Sequence, residues 1–442
     1  MAFSSAGRRP TTPRATLPRI WIDCDDLMSH FDGWSTPTGI CRVQLEIIPH
    51  LIELAPGRIR LCRIGRSARE LQILSPRDLD RVAERSESPQ RAAGSDALMR
   101  SMRFAALKSL GFVRRMAMRA GLVQPETRPA KGDVILAMGG TWSNPGFAGA
   151  VRGLKAQHGL RLAHLVHDLL PMTHSALVAD RQVARFGRWI GDVTDLSDCL
   201  LTPSNYTADV LREHLARAGR GDVPVTPVIF GSGFTRTRTG ATGGRVHARP
   251  YVLFVSTIEV RKNHLFLARV WQRLVEKHGA QAVPDLLLVG RFGWKTQGFA
   301  QFLKETNHLD GKIVIRSNLS DSELHQAYDG CLFTVFPSLA EGWGLPVDES
   351  LAHGKACVAS RATSIPEVGG EAADYFDPAD ENAAIVALEA MLFEPGYRQA
   401  REGWIRTNYR PRDWADAAGR IMDALDSAFE LDFQPEPRDA DR

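Results

Sequence analysis

Short apolar runs rich in β-branched residues alternate with helical patterns along almost the whole chain. This alternation is typical of βαβ units, in which successive strands form a parallel sheet and helices cover its faces. The predicted strands fall into two series, separated by a stretch that has neither pattern. The first series comprises residues 20–23, 134–138, 161–168 and 199–203, and the second comprises residues 251–257, 285–290, 312–317, 332–338 and 355–360.

The stretch between the two series, residues 231–250, is rich in Gly, Thr and Arg, which indicates a flexible connection. A chain of 442 residues is also long enough for two domains. We therefore predict two doubly wound α/β domains that face each other across a ligand-binding cleft. The predicted boundaries are a disordered basic tail at 1–19, domains at 20–245 and 246–410, and a helix and tail at 411–442 that cross back over the first domain.

Composition argues against several classes of protein. No apolar run approaches the roughly 18 residues of a membrane span, and the first 19 residues lack the apolar segment of a secretory signal. The six cysteines include no Cys-x-x-Cys pair, so we expect neither a zinc site nor a disulfide framework. Free cysteines of this kind suit a reducing cytoplasm. No Gly-x-Gly-x-x-Gly follows a predicted strand, which disfavours a nicotinamide dehydrogenase, and no nucleic-acid-binding motif accompanies the basic residues.

The formal net charge of +4 is unevenly distributed. Residues 1–245 hold 34 Lys and Arg against 22 Asp and Glu, or +12, whereas the remainder holds 21 against 29, or −8. Within the first part, residues 97–125 contain six basic side chains and no acidic one. A basic amphipathic helix of this kind suits an anionic membrane surface; the alternative is a helical excursion packed on the core. We expect a cytoplasmic protein, either free or peripheral on the cytoplasmic face of the inner membrane.

The most informative motif lies at residues 336–360 and holds two glutamates, Glu341 and Glu349, with seven residues between them. A predicted strand precedes the motif, and Pro346 suits the first turn of a helix. Glu341 therefore falls in the strand-to-helix loop, and Glu349 about one turn into the helix. Both carboxylates can face the predicted cleft.

Two glycines between these glutamates, Gly342 and Gly344, let backbone N–H groups approach a phosphate or a sugar hydroxyl closely. Carboxylates are good acceptors for sugar hydroxyls, so one glutamate could hold the ribose of a nucleotide and the other the attached sugar. Lys262 follows the strand 251–257 at a predicted helix start. There its ammonium could neutralise the charge that develops on a leaving phosphate.

The motif, together with residues 364–378, resembles the donor-binding signature of retaining glycosyltransferases of family 4, which have the GT-B fold. The resemblance covers the second domain and extends more loosely through the first. Four further stretches are similar to segments of this family. Residues 255–264 resemble its phosphate-binding strand and helix start, and residues 316–324 the segment after its base-contacting strand. Residues 166–175 resemble its cleft-lining histidine segment, and residues 35–43 its glycine loop.

The resemblance implies a role for each matching residue. Lys262 would contact the donor diphosphate and Glu349 the ribose. Glu341 and the backbone of residues 342–345 would hold the transferred sugar, with His167 near its outer hydroxyls. The predicted catalytic residues are His167, Lys262 and Glu341; the predicted donor-binding residues are Gly39, Ser256, Thr257, Arg261, Arg291, Gly342, Trp343, Gly344, Leu345 and Glu349.

Two positions depart from the family pattern. Many members carry Gly-Arg where this chain has Val255 and Ser256, and either Arg261 or Arg291 could supply the missing positive charge. The chain also has Asp348 directly before the second glutamate, where an apolar residue is common. The missing arginine motivates one alternative, a catalytically silent subunit that binds a sugar nucleotide without turnover.

The resemblance implies transfer of a hexosyl residue from a nucleotide diphosphate sugar to a saccharide acceptor, with retention of configuration. Residues 167–172 and 257–263 look most like bacterial transferases that build O-antigen or exopolysaccharide, several of which use GDP-mannose. An acceptor oligosaccharide carried on polyprenyl diphosphate would explain the basic excess of residues 1–245; the alternative is a soluble saccharide. We expect neither a cofactor nor a metal. The rival is the short Asp-x-Asp pattern at Asp23 and Asp25, which metal-dependent transferases of the other major fold use to hold a divalent cation.

Overall fold

The computed structural model of the protein describes residues 17–33, 36–65, 71–87, 128–233 and 246–430. The predicted basic excursion at 97–125 lies outside the described residues. So do residues 1–16 of the predicted tail, residues 234–245 of the predicted connection and the C-terminal residues 431–442.

The first domain is built on a sheet with seven strands among the described residues. They are Ile20–Asp23 (β1), Ile59–Ile64 (β2), Leu71–Leu74 (β3), Val134–Ala137 (β4), Arg161–Leu165 (β5), Cys199–Thr202 (β6) and Val225–Pro227 (β7). Their order across the sheet is β3-β2-β1-β4-β5-β6-β7. All neighbouring strands are parallel except β2 and β3.

The second domain has a fully parallel sheet of six strands within the same described ranges. They are Tyr251–Val255 (β8), Asp285–Val289 (β9), Ile313–Arg316 (β10), Thr334–Phe336 (β11), Cys357–Ser360 (β12) and Ala373–Phe376 (β13), in the order β10-β9-β8-β11-β12-β13. The strand order reverses direction at β1/β4 in one sheet and at β8/β11 in the other. Ligands of such sheets bind beside these switch points, at the carboxyl ends of the strands.

Helices cover both faces of each sheet. In the first domain they are Asp25–Gly33 (α1), Gly39–Leu54 (α2), Pro76–Glu87 (α3), Phe147–His158 (α4), Leu170–Thr173 (α5), Asp180–Leu196 (α6) and Asn205–Arg217 (α7). In the second they are His264–His278 (α8), Gln297–Glu305 (α9), Asp321–Gly330 (α10), Leu345–Ala352 (α11), Ile365–Gly369 (α12), Glu381–Phe393 (α13) and Tyr397–Asn408 (α14). A last helix, Trp414–Phe429 (α15), follows the second domain in the chain. In the described part of the chain, no helix is long and apolar enough to cross a membrane.

The central strands are mostly apolar because helices bury both faces of a parallel sheet. All four residues of β1 and of β4 are buried. Strands β2, β3, β7 and β13 are absent from the two predicted series. These four strands lie toward the sides of their sheets, and their exposed or half-buried positions interrupt the apolar run on which the prediction relied.

The C-terminal helix α15 belongs spatially to the first domain. Its buried face packs against α2, and Arg161 at the start of β5 donates to the carbonyl of Phe429 at 3.0 Å. At the other end of the helix, Trp414 stacks on Phe230, with ring centroids 5.9 Å apart. The chain therefore leaves the first domain, forms the second, and returns.

A buried polar chain in the first domain gives a pH-dependent stability. The Trp189 indole donates to Thr141 Oγ1 at 2.8 Å, and that hydroxyl lies 2.8 Å from Nε2 of His164. Nδ1 of His164 lies 3.1 Å from the carbonyl of Leu165, which can only accept, so the neutral ring carries its proton on Nδ1. Burial lowers the pKa of His164 to about 3.

We expect acid to destabilise the first domain through His164. The unfolded histidine takes up a proton below about pH 6.5, whereas the folded one resists protonation down to its lowered pKa. The contribution is therefore complete well above pH 6.5 and decreases as the pH falls, by on the order of 1–2 kcal/mol between pH 6.5 and 5.0. Urea unfolding at these two pH values should show a smaller pH dependence for His164→Gln than for wild type; equal dependence would contradict the assignment.

Candidate active site

Two cations and one glutamate form a buried cluster at the carboxyl ends of β8 and β11. The chain leaves β8 and forms a short 3₁₀ turn, Val260–Lys262, which directs Arg261 and Lys262 toward the loop after β11. Lys262 Nζ lies 2.5 Å from Glu341 Oε1, and Arg261 Nη1 lies 2.6 Å from Glu341 Oε2. Each carboxylate oxygen thus has its own cation.

This arrangement keeps the glutamate ionised. Burial by itself would raise the pKa of Glu341, but the charges of Arg261 and Lys262 outweigh it and lower the pKa to about 2. Burial lowers the pKa of Lys262, although Glu341 opposes the shift. A carboxylate with such a low pKa cannot act as a proton donor or as an effective base near neutral pH. It can only accept hydrogen bonds.

The positive charge missing at Ser256 is present nearby on Arg261. Besides Glu341, Arg261 contacts Glu259 Oε1 at 2.7 Å and donates to the carbonyl of Ala340 at 2.8 Å. Ser256 itself faces inward, with Oγ 3.3 Å from Nε2 of His264. Of the two arginines predicted as substitutes, Arg261 lies in the cluster. Arg291 follows β9 and lies within electrostatic range of Cys41 in the first domain.

The loop after Glu341 packs directly against the first domain. A Cβ atom at Gly342 would lie 2.0 Å from the carbonyl oxygen of His167, closer than any real side chain permits. The Gly342 carbonyl accepts from Ser204 Oγ at 2.8 Å and from Thr207 Oγ1 at 3.2 Å. Glycine is therefore required here for the two domains to meet. At Gly344 the requirement is conformational, because φ is +130° just before α11 begins.

Glu349 lies on α11 and is buried. The hydroxyl of Tyr328 donates to its Oε2 at 2.6 Å. Burial raises the pKa of Glu349, and the positive charge of Arg42 in the first domain opposes this rise. Arg42 itself bridges the domains through Asp321, with Nη2 and Oδ1 2.7 Å apart.

His167 follows β5 and faces the same cleft region. Its Nε2 lies 2.7 Å from the carbonyl of Met138, which follows β4. Because a carbonyl can only accept, Nε2 carries the proton and Nδ1 keeps a lone pair. Burial lowers the pKa of His167, so the ring is neutral near pH 7 and offers Nδ1 as an acceptor. The adjacent Asp168 accepts from the backbone N–H of Leu170 at 3.0 Å.

Comparison with known proteins shows a family for part of the chain and a fold for its described residues. Residues 249–393 match the family described as Glycosyl transferases group 1. This part of the chain is a group 1 glycosyltransferase domain. The described fold is similar to that of sucrose-phosphate synthase from Thermosynechococcus elongatus, with a TM-score of 0.56 at 17% identity over 94% of this chain and 99% of that one. The predicted GT-B fold is confirmed.

Two relatives share more sequence with this chain. O-antigen chain mannosyltransferase B of Escherichia coli is 33% identical over 149 residues, which are 34% of this chain and 38% of that protein. MMP alpha-(1->4)-mannosyltransferase of Mycolicibacterium hassiacum is 40% identical over 117 residues, which are 26% of this chain and 28% of that protein. The matches span well under half the length of either relative.

Four other predicted donor residues occupy different positions around the glycosyltransferase domain. Gly39 begins α2 of the first domain, where a Cβ would lie 3.7 Å from the side chain of Leu345. Thr257 is exposed in the loop after β8. The indole of Trp343 is buried between Phe230 and the guanidinium of Arg412, away from solvent; its backbone lies in the loop between Glu341 and α11.

Both aspartates of the Asp-x-Asp pattern, Asp23 and Asp25, form hydrogen bonds or ion pairs within the first domain. Asp23 accepts from the backbone N–H groups of Ile64 at 3.1 Å and Asp25 at 3.2 Å. Asp25 forms an ion pair with Arg63 at 2.6 Å. Among the residues that the structure describes, no group of His, Cys, Asp and Glu is arranged to hold a metal ion.

Several residues at the site were not predicted from the sequence. Tyr328, which orients Glu349, and Arg42 carry no local signal, because each acts through a partner distant in the chain. Glu367 lies within the family-like stretch 364–378 and could have been singled out there. Its carboxylate accepts from the backbone N–H groups of Asn205 at 2.8 Å and Tyr206 at 2.7 Å, and so caps α7 of the first domain.

Proposed function

We propose that the protein is a retaining glycosyltransferase that moves a hexosyl residue, most simply mannosyl from GDP-mannose, to a saccharide acceptor. The observation that carries the proposal is the cluster of Lys262, Arg261 and Glu341 at the cleft between the two domains. Two cations suit a diphosphate, and an ionised glutamate beside them suits the hydroxyls of the attached sugar.

In this proposal the cluster rearranges when the donor binds. Without a donor, Glu341 neutralises both cations. A bound diphosphate shares Lys262 and Arg261, and Glu341 then accepts hydrogen bonds from the hexose. Lys262 acts most strongly as the bond breaks, because charge accumulates on the leaving phosphate.

Two further residues would orient the donor. Glu349 accepts from the ribose hydroxyls, while the hydroxyl of Tyr328 fixes the carboxylate from behind. Nδ1 of neutral His167 accepts from an outer hydroxyl of the hexose, since Nε2 is committed to Met138. Each of these groups accepts a hydrogen bond that a sugar can donate.

Retention needs no strong protein base in this scheme. The acceptor hydroxyl attacks from the face that the nucleotide leaves, and its proton passes to an oxygen of the departing phosphate. The carbon–oxygen bond to the phosphate breaks as the new glycosidic bond forms. Glu341 is then needed only as a hydrogen-bond acceptor for the hexose, which is consistent with its ionised state in the ligand-free cluster.

The donor and acceptor are proposed from the relatives and from the charge. Both relatives reported above are named mannosyltransferases, and one is named for the O-antigen chain. A saccharide on polyprenyl diphosphate in an anionic leaflet would match the +12 excess of residues 1–245. A catalytically silent subunit was the alternative motivated by the missing arginine; the position of Arg261 beside Lys262 weakens that motivation.

A thermal-shift screen against UDP-, GDP- and dTDP-sugars tests the proposal, because a ligand that binds the folded state raises its stability by mass action. We expect GDP-mannose to raise the melting temperature by several degrees, and Glu349→Ala to abolish most of this rise. Glu389→Ala is the matched control, since Glu389 pairs with Lys277 on the outer surface of the same domain.

Turnover completes the experiment. Donor hydrolysis without acceptor and transfer to soluble or polyprenyl-diphosphate-linked saccharides should both occur in wild type. Binding without any turnover would identify a silent subunit. The absence of a shift with every nucleotide sugar, or an unchanged shift in Glu349→Ala, would contradict the proposed donor site.

A further inference from the structure

Asp348 is a fully buried carboxylate at the junction of the two domains. Three side chains donate to its Oδ1: Ser232 Oγ at 2.7 Å, Arg412 Nη1 at 3.1 Å, and the hydroxyl of Tyr409. We propose that Asp348 is a positioning residue, through which the domain junction orients α11 and thereby Glu349. The proposal rests on the proposed function for the assignment of Glu349 to the donor.

The partners of Asp348 come from both chain segments that join the domains. Ser232 lies where the chain leaves the first domain, and Tyr409 and Arg412 lie just before α15, where it returns. These segments also bind each other: the N–H of Ser232 donates to the carbonyl of Arg412, and the N–H of Arg412 donates to Ser232 Oγ, both at 2.9 Å. A change in the junction therefore reaches Asp348 directly.

Asp348 and Glu349 are consecutive on a helix, so their side chains point about 100° apart around its axis. Asp348 faces the junction while Glu349 faces Tyr328 and the first domain. Because α11 has only eight residues, holding one of these side chains fixes the rotation of the helix and the direction of the other. The junction therefore sets the direction of the Glu349 side chain through α11, although the junction residues do not contact the proposed donor.

The same arginine also supports the donor loop. Arg412 Nη2 donates to the carbonyls of Glu367 at 3.2 Å and Val368 at 3.3 Å, and its guanidinium lies 5.3 Å from the ring centroid of Trp343. Trp343 stands between Gly342 and Gly344. Arg412 lies outside the matched family segment, residues 249–393, so the returning chain supplies an interaction that the glycosyltransferase domain lacks by itself.

Burying a carboxylate is costly unless several donors compensate it. An apolar side chain would fill the same space without that cost, and an apolar residue is common at this position in the family that the sequence resembles. The three convergent donors therefore serve orientation rather than packing alone. This argument makes the charge of Asp348 the quantity to test.

The test compares Asp348→Asn with a matched control, Asp374→Asn. Asp374 also pairs with one arginine and one tyrosine, with Arg401 Nε at 3.0 Å and the Tyr397 hydroxyl at 3.1 Å, but it lies on β13 at the side of the sheet. In the ligand-free protein, hydrogen exchange in peptides covering residues 341–353 should become faster in Asp348→Asn. In Asp374→Asn these peptides should exchange as in wild type.

Donor binding gives the second measurement, with GDP and UDP as probes. We expect Asp348→Asn to raise the Kd of the preferred nucleotide by about tenfold, the scale of one lost charged hydrogen bond. The donor KM should rise similarly, with kcat at saturation nearly unchanged, because Asp348 does not touch the reacting atoms. Arg412→Gln should have the same effects, and the double variant should be no worse than either single one.

These measurements separate the two proposals. If wild type binds neither nucleotide, the proposed function fails, and the exchange data still decide whether Asp348 orients α11. Unchanged exchange at residues 341–353 in both Asp348→Asn and Arg412→Gln would overturn the inference. So would equal effects of Asp374→Asn, since general destabilisation would then explain them. If Asp348→Asn does not fold, Arg412→Gln alone decides, because it leaves the carboxylate in place.

Discussion

Replacing Lys262 with alanine should lower kcat by about a hundredfold or more while changing donor affinity far less. The ammonium is buried and lies 2.5 Å from Glu341, at the position where the proposed leaving phosphate gains charge. An interaction that strengthens only as the bond breaks affects turnover rather than ground-state binding. Arg261 remains beside Glu341 in the variant, so the carboxylate proposed to bind the hexose keeps one cation.

Steady-state kinetics with GDP-mannose and calorimetric binding of GDP measure the two effects separately. Lys277→Ala is the matched control, because Lys277 lies on α8 of the same domain and pairs with Glu389 at the surface. Wild-type turnover in Lys262→Ala would remove this residue from the mechanism.

Activity should also persist in EDTA; loss that manganese or magnesium restores would instead support a metal role for Asp23 and Asp25.

Replacing Gly342 with alanine should nearly abolish activity and destabilise the domain interface. The added Cβ would lie 2.0 Å from the carbonyl oxygen of His167 and 2.9 Å from Cβ of Asp168. Neither atom can rotate away, since one belongs to the backbone and the other is fixed to it. The domains must therefore separate locally, which removes the hydrogen bonds of Ser204 and Thr207 to the Gly342 carbonyl. Overpacking of this kind costs about 1–3 kcal/mol, sometimes more.

Thermal unfolding and kcat/KM provide the measurements, with Gly191→Ala as the control. Gly191 lies within α6, and nothing lies within 4 Å of a Cβ added there. Alanine at that position should stabilise the helix by up to about 1 kcal/mol and leave activity unchanged. If Gly342→Ala retained both the melting temperature and the activity of wild type, the close contact with His167 would not exist in solution.

Much of the fold could be predicted because its signals are short-range. Strand β4 is apolar throughout and β1 is apolar up to Asp23, and the switch from strand to helical patterns indicates the two doubly wound sheets. The turn containing Gly344 and Pro346 predicted the start of α11, where Pro346 lies in the first turn. Strands such as β3 and β7 were missed, because a partly exposed strand at the side of a sheet has a mixed pattern resembling a loop.

The site was only partly predictable, because its decisive contacts are long-range. The family resemblance predicts that Lys262 contacts the diphosphate and Glu341 the sugar, but it does not predict that the two side chains pair in the described structure. It left Arg261 and Arg291 as equal substitutes for the missing arginine; the tertiary structure places Arg261 in the cluster by bringing together residues 80 positions apart. Asp348 departs from the family pattern, and only its partners Ser232, Tyr409 and Arg412, which are distant in the chain, give a physical reason for a carboxylate there.

The sequence by itself indicated the alternation of strands and helices, the two doubly wound sheets and the residue types available at the carboxyl ends of the predicted strands. These properties depend on periodicity, turn chemistry and side-chain identity, which act within a few neighbouring residues. Only the tertiary structure decided which cations share Glu341, which tautomer His167 adopts beside Met138, and what compensates the buried charge of Asp348. Each of these depends on electrostatic and packing contacts between segments 29 to 116 positions apart, and such contacts exist only after both sheets have formed and the chain has returned across the junction.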